Sequence, residues 1–221
     1  MIQNLNKETV KLYISGKKVL KGIIVDSGSD MIVLYNGEDY YYIPNSHIHE
    51  LKVDDYNENN IIMPTENPDI VLNNKDELTL EKVLSHAVGI YSEIYVTGNQ
   101  ALHGYISNIM SDYFVFQSPI YKTMYIKTEH LKWLIPYTDN LSPYKLSAAE
   151  FPIQPFNEAL SKTFETQIDT LKGKFLVFNQ GEKNNFIGRM NNVKGHIVEF
   201  QTARMNPIYF NLLHIKTVHQ A

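Results

Sequence analysis

The stretch YFNLLHIKTV, residues 209–218, decides the fold because the same chain carries two related stretches. Residues 42–51 read YIPNSHIHEL and residues 125–134 read YIKTEHLKWL; each begins with tyrosine, has histidine sixth and has an aliphatic residue tenth. We call this ten-residue pattern the histidine motif. Three copies in one chain indicate a tandem repeat, which has to be recognised before any single motif is interpreted.

A pair of glycines keeps step with the histidine motif. The glycines bracket GKKVLKG, GNQALHG and GEKNNFIG, and the second glycine lies 25 or 26 residues before the histidine in each copy. We expect these landmarks to shape each copy rather than to react. They are Gly22, Tyr42 and His47 in the first copy, Gly104, Tyr125 and His130 in the second, and Gly188, Tyr209 and His214 in the third.

Each copy also carries five short strand candidates. Apolar side chains recur at every second position, as at Met31, Val33 and Tyr35, which is the period of a strand. The motif tyrosine is predicted to lie in a fourth strand, the three residues before the histidine in a tight helical turn, and the histidine at the entry to a fifth strand. Five short, bent strands favour a small barrel of the Sm-like or SH3-like kind, because closure removes sheet edges.

Two connecting segments have helical periodicity. Residues 78–92 and 156–171 repeat apolar side chains at intervals that keep them on one helical face. The predicted fold is therefore mainly β with a few helices: three tandem five-stranded Sm-like or SH3-like barrels, the second and third each preceded by an α-helix. The predicted boundaries are 1–53 for the first barrel, 54–77 for a linker, 78–136 for a helix and the second barrel, 137–155 for a linker, and 156–221 for a helix and the third barrel.

Composition restricts the function classes. The 221 residues are 43% hydrophobic, which suits a packed globular protein, and the net charge of -4 does not favour phosphate binding. The absence of cysteine excludes disulfides, thiolate metal sites and cysteine nucleophiles. The first residues contain no apolar signal core, and no apolar run could span a bilayer. We therefore expect cytoplasmic synthesis without a signal peptide, and no membrane insertion.

The motif histidines are the first candidates for chemistry, since neutral imidazole is a common metal ligand. However, each lies in its own copy, and no acidic residue recurs beside it at a fixed offset. His47 and His49 could share one face of a strand, but they have no third partner. The sequence also contains no hydrolase, phosphate-loop or metalloprotease motif. It predicts a non-enzymatic protein without catalytic residues, metal or cofactor.

An Sm-like nucleic-acid-binding regulator is the alternative, because such barrels bind single-stranded RNA by aromatic stacking and basic side chains. Tyr40, Tyr41 and Tyr42 are the candidate stacking residues. Strand alternation places Tyr41 on the opposite face from the other two, and the neighbouring charges are Glu38 and Asp39. A half-buried aromatic strand is the preferred interpretation, and nucleic acid is a disfavoured partner.

The third copy resembles the repeats of the spore coat protein B family of endospore-forming bacteria, through FNQG at 178–181, Gly188 and YFNLLHIKTV at 209–218. The resemblance covers most of the chain in three copies, with Pro44, His49 and Trp133 departing from the pattern. It implies a structural protein of the spore coat, made in the mother cell during sporulation. The implied activity is self-assembly and protein–protein interaction, with other coat proteins and further copies of the chain as partners.

Overall fold

The described part of the chain forms one open antiparallel sheet. The computed structural model describes residues 5–54, 57, 60–65, 70, 77–98, 100–138, 141–183, 186–204 and 206–221. Strands account for 44% of the described residues, which also contain two α-helices, so the prediction of a mainly β protein with a few helices is confirmed. No described helix has the length and apolarity needed to cross a membrane.

The elements follow the three sequence copies, which we call the first, second and third segments. The first segment contains β1 (Thr9–Ile14), β2 (Lys18–Ser27), β3 (Met31–Tyr35), β4 (Tyr40–Pro44) and β5 (Ile48–Val53). The second contains α1 (Leu80–Ala87), β6 (Tyr91–Tyr95), β7 (Leu102–Ile109), β8 (Tyr113–Ser118), β9 (Lys122–Lys127) and β10 (Trp133–Pro136). The third contains α2 (Phe164–Asp169), β11 (Phe175–Phe178), β12 (Ile187–Lys194), β13 (Ile197–Gln201), β14 (Ile208–Asn211) and β15 (Thr217–Gln220).

Each segment has the same strand order. The first four strands form a meander, and the fifth strand pairs with the first after a single 3-10 turn at Asn45–His47, Thr128–His130 or Leu212–His214. The fifth strand also pairs with the fourth strand of the preceding segment, β10 with β4 and β15 with β9. The segments are therefore joined edge to edge, and pairing of a segment's own fourth and fifth strands is not among the strand pairs of the sheet.

The repeat glycines allow the second strand of each segment to lie against the third. A Cβ atom would meet a backbone oxygen of the third strand, at 2.4 Å from Tyr35 for Gly22, 1.8 Å from Gln117 for Gly104 and 2.3 Å from Gln201 for Gly188. Two residues after each glycine the strand register shifts. Such bulges bend a strand, so the glycine and the bulge together curve each segment.

The helices lie in cores that consecutive segments share. Val83 and Leu84 of α1 pack in one core with Met31 and Tyr42 of the first segment and Phe116 of the second. A second core joins Phe164 and Ile168 of α2 to residues of the second and third segments, including Tyr113, Tyr125 and Phe200. Each helix thus stabilises its own segment and also the contact of that segment with its neighbour.

Both helices are shorter than predicted. The first ends at Ala87 rather than at residue 92, because Gly89 has a φ of 75° and turns the chain into β6. The second begins at Phe164 rather than at residue 156. Thr163 caps it in a reciprocal capping box with Thr166, which fixes its start.

The spacing of the apolar residues before α2 explains why the predicted helix began too early. Phe156 and Leu160 pack against the second core from non-helical backbone, so their spacing imitated a helical face. The following turn is fixed by the amide of Gln167, whose Oε1 accepts a hydrogen bond from the Ser161 N–H at 2.7 Å.

Of the two predicted linkers, the second is described by the structure over most of its length. Most of 54–77 lies outside the described residues. The second linker packs on the second segment, where the Phe151 ring lies 5.7 Å from the ring of Tyr91 and 5.5 Å from that of Tyr105. The Tyr91 hydroxyl also donates to the Phe151 carbonyl oxygen.

Candidate functional site

The histidine motif forms the contacts between segments. We call the pairing of β4 with β10 the first junction and that of β9 with β15 the second junction. Leu134 lies opposite Tyr42 at the first junction, and Val218 lies opposite Tyr125 at the second. In both cases the first residue of one motif faces the tenth residue of the next. The motif therefore works as a joining element, and this explains why its two ends are alike in all copies.

Burial of the motif tyrosine depends on whether a segment follows. Tyr42 and Tyr125 are 1% and 3% exposed, whereas Tyr209, on the outer strand β14 of the described sheet, is 64% exposed. The Tyr42 hydroxyl donates to the Ile70 carbonyl oxygen at 3.0 Å, so its polar group is satisfied inside the core. The tyrosine is thus a buried anchor where a junction exists and an exposed ring where it does not.

Two motif histidines lie half-buried beside the following segment. The Nδ1 atom of His47 lies 2.8 Å from the Ser15 hydroxyl, and burial lowers the pKa of its imidazole, with the Lys132 charge acting in the same direction. Burial lowers the pKa of His130 to about 4, against the opposing effect of Glu129 and with the help of Lys216. Lys132 and Lys216 come two residues after the histidine of the next copy, so the two sites are equivalent.

The third motif histidine has a different environment. His214 is exposed, and its backbone oxygen accepts a hydrogen bond from the Asn179 amide at 3.5 Å. Among the described residues no group of three or more His, Asp or Glu side chains could hold a metal ion. His130 nevertheless lies close enough to His47 for the two charges to repel, so the first junction brings these two motif histidines near each other without a third metal ligand among the described residues.

A polar cluster connects the second and third segments. The Lys216 ammonium donates to the Thr97 hydroxyl at 2.9 Å, and that hydroxyl donates to a Glu182 carboxylate oxygen at 2.5 Å. The Gln180 amide donates to the Thr97 carbonyl oxygen at 3.3 Å. Beside the cluster is an open cleft of about 450 Å³ lined by Gly98, Gln100, Gln180 and Glu182.

Lys132 is the lysine of this region whose pKa is most strongly perturbed. It donates to the Val96 carbonyl oxygen at 2.7 Å and lies 4.9 Å from the centre of the Tyr95 ring. Burial, together with the nearby Lys216 charge, lowers the pKa of Lys132 to about 8. A lysine with a lowered pKa can act as a nucleophile, but these contacts account for its position by packing and hydrogen bonding between segments.

Two aspartates have a joining role that the sequence analysis did not assign. Asp30 accepts a hydrogen bond from the Leu80 N–H at 2.9 Å, and Asp112 accepts one from the Phe164 N–H at 2.7 Å. Each carboxylate thus binds the first turn of the next segment's helix, where negative charge is favourable. The available signal was the Ser-Asp pair repeated at 29–30 and 111–112. The third segment has His196 at this position.

The tyrosine run of β4 is used for packing. Tyr40 and Tyr42 are 8% and 1% exposed in one core, and Tyr41 lies on the other face with its ring 6.1 Å from the Trp133 ring. The predicted alternation is confirmed. The two buried rings have no surface on which a base could stack.

Fold and site together define a tandem-repeat protein with an antiparallel sheet, whose segments are joined through a repeated motif. The model of the YwrJ third domain matches residues 163–218. The chain is 34% identical to the uncharacterized protein YwrJ of Bacillus subtilis (strain 168) over 225 residues, covering 98% of this chain and 97% of that protein. The chain belongs to the YwrJ family.

Proposed function

We propose that the chain is a non-enzymatic structural protein of the bacterial spore coat that assembles through protein–protein contacts of its tandem segments. The observation that carries the proposal is the double use of the histidine motif as a joint within one chain. Strand-to-strand pairing supplies main-chain hydrogen bonds with little dependence on sequence, and side chains such as Tyr42 and Tyr125 supply the register. Other coat proteins are the proposed partners.

Each segment is proposed to be one Sm-like or SH3-like unit. The five-strand order, the bulge in the second strand and the turn before the fifth strand recur in all three segments. Within the chain, the fourth-strand edges of the first and second units are covered by the fifth strand and helix of the next unit. Units of this size bury little of their unfolded surface and are marginally stable alone, which favours their association.

The proposed location follows from the resemblance of the histidine motif to the repeats of the spore coat protein B family. On this basis we propose synthesis in the mother cell and assembly of the protein on the forming spore. Several similar segments in one chain would let individually weak contacts combine into durable attachment, because the second contact forms at a high effective concentration.

Localisation tests the proposal. A fluorescent fusion of the full chain, expressed in sporulating Bacillus subtilis, is expected to accumulate around the forming spore and to remain with the coat fraction. The matched control is the same fusion carrying Val218→Asp, which places a charge in the second junction and should reduce coat retention at least fivefold. Diffuse fluorescence with no spore-associated fraction would contradict the coat role.

The alternative of a nucleic-acid-binding regulator is favoured by one feature. Lys18 and Lys132 both lie over the Tyr95 ring, at 5.1 and 4.9 Å from its centre, and Lys216 is close to the second of them. Glu182 lies in the same cluster and opposes binding of phosphate. Salt-sensitive binding of single-stranded RNA by the purified chain, lost in Lys18→Ala, would favour this alternative over the coat role.

A further inference from the structure

The open sheet ends in two different kinds of strand. At one end β5, the fifth strand of the first segment, pairs with β1; at the other end β14, the fourth strand of the third segment, pairs with β13. Neither has a second partner strand among the described residues. Both internal junctions pair a fifth strand with the fourth strand of the preceding segment. The two ends of the sheet therefore correspond to the two halves of an internal junction.

Exposed apolar side chains on β14 and on the neighbouring strand indicate a junction surface without a partner strand. Tyr209 is 64% exposed, although its counterparts Tyr42 and Tyr125 are almost fully buried. On the neighbouring strand, Ile197 is 44% exposed, whereas the equivalent Met31 and Tyr113 are 0% exposed. The apolar character of these positions is thus kept in the third segment without the cover that the first two segments have.

The backbone of β14 is oriented for the same pairing. At the second junction the Lys127 N–H donates to the Lys216 oxygen at 3.0 Å. Asn211 holds the position of Lys127 in the third motif, and His49 holds the position of Lys216 in the first. Because hydrogen-bonding direction alternates along a strand, the backbone groups of Tyr209 and Asn211 point away from β13.

The backbone of β5 is oriented in the matching way. The Asp54 N–H donates to the Thr9 oxygen at 2.7 Å, and the equivalent Ala221 N–H donates to the Phe175 oxygen at 3.2 Å. Alternation then directs the backbone groups of Leu51 toward the open side, as those of Val218 are directed toward β9. Both edges present their donors and acceptors at the positions that the internal junctions use.

We infer that copies of this chain join head to tail, β14 of one copy pairing with β5 of the next in the register of the internal junctions. Leu51 then faces Tyr209, Lys52 faces Ile208, and the Asn211 N–H donates to the His49 oxygen. The inference rests on the proposed assembly function and names a second copy of the chain as the partner. Such a contact uses two different surfaces, so it either closes into a ring or continues as a filament.

The charged side chains of β5 determine how strong the contact between copies is expected to be. Glu50 and Lys52 form an ion pair of 3.1 Å, at positions where the second segment has Trp133 and Ile135. Charged side chains on an edge strand weaken edge pairing. The described residues before β1 also contain no α-helix of the kind that covers the internal junctions. The contact between copies is therefore reversible and concentration-dependent, unlike the internal junctions.

Cysteine crosslinking tests both the contact and its register, because the chain has no cysteine of its own. Lys52→Cys and Ile208→Cys are made in separate full-length proteins. In the inferred register these residues form a non-hydrogen-bonded antiparallel pair with Cα atoms about 4.5 Å apart, a distance that a disulfide spans. Under mild oxidation the mixture is expected to give at least ten times more dimer than either protein alone.

The matched control replaces Ile208→Cys by Leu213→Cys, an exposed position in the 3-10 turn that follows β14 and out of register. Equal crosslinking of the control mixture, or dimers from Lys52→Cys alone, would overturn the inference. Sedimentation of the unaltered chain should show larger species as concentration rises, and a monomer at all concentrations would overturn it too. If the chain is a monomer but still reaches the coat, the inference fails and the proposed function stands. If the chain forms register-specific dimers but is absent from the coat, the inference stands and the coat role is contradicted.

Discussion

Replacing Gly104 by alanine is expected to lower the free energy of unfolding by about 3 kcal/mol or more, a large effect for a single methyl group. The added Cβ would lie 1.8 Å from the Gln117 backbone oxygen and 3.0 Å from the Phe116 ring. A rotamer change cannot relieve a contact with backbone, so β7 and β8 would have to separate at the centre of the second segment. Urea unfolding of Gly104→Ala and the unaltered chain measures the loss.

Gly195→Ala is the matched control for this substitution. Gly195 has a φ of 57°, and a Cβ there would meet no atom within 4 Å. Its replacement by alanine should therefore lower the free energy of unfolding only by the cost of a side chain at positive φ, about 1 kcal/mol. A loss in Gly104→Ala no greater than that in Gly195→Ala would contradict the close approach of the second and third strands.

Lowering the pH from 6.5 to 4 is expected to destabilise the fold through His130 and His219. Burial lowers the pKa of each to about 4, whereas an exposed histidine titrates near 6.5. Between these values the unfolded chain binds protons that the folded chain excludes. The neutral histidines therefore stabilise the fold fully above about pH 6.5, and this contribution is lost as the pH falls to 4. Each contributes at most about 3 kcal/mol.

The pH effect can be assigned by substitution. His130→Gln should reduce the difference in unfolding free energy between pH 7.5 and pH 5, because glutamine does not titrate. His214→Gln, at the same motif position but exposed, is the control for the loss of a motif imidazole as such. An equal pH dependence in the unaltered chain and in His130→Gln would contradict a neutral, half-buried His130.

Strand positions and the turn before the histidine could be predicted because their signals are local. The period-two alternation of residues such as Met31, Val33 and Tyr35 identifies β3. The structure adds the reason for Gly22, Gly104 and Gly188, which lie within the second strands and allow a close approach to the backbone of the third.

Helix lengths and the joining of segments could not be predicted in the same way. The start of α2 depends on the cap at Thr163 and on the Asp112 carboxylate from another segment, neither of which changes the apolar spacing. Edge pairing is also non-local, since each fourth strand could in principle pair within its own segment. The facing of Tyr125 and Val218 shows that the two ends of the histidine motif carried this information.

Amide hydrogen exchange at two equivalent positions tests the central claim, that one motif joins the segments and leaves a matching free end. The Lys127 N–H is bonded across the second junction, and the Asn211 N–H holds the same position on the outer edge. In dilute protein Lys127 should exchange at least a hundredfold more slowly than Asn211, and Asn211 should become protected as concentration rises. Equally fast exchange at both residues would contradict the junction.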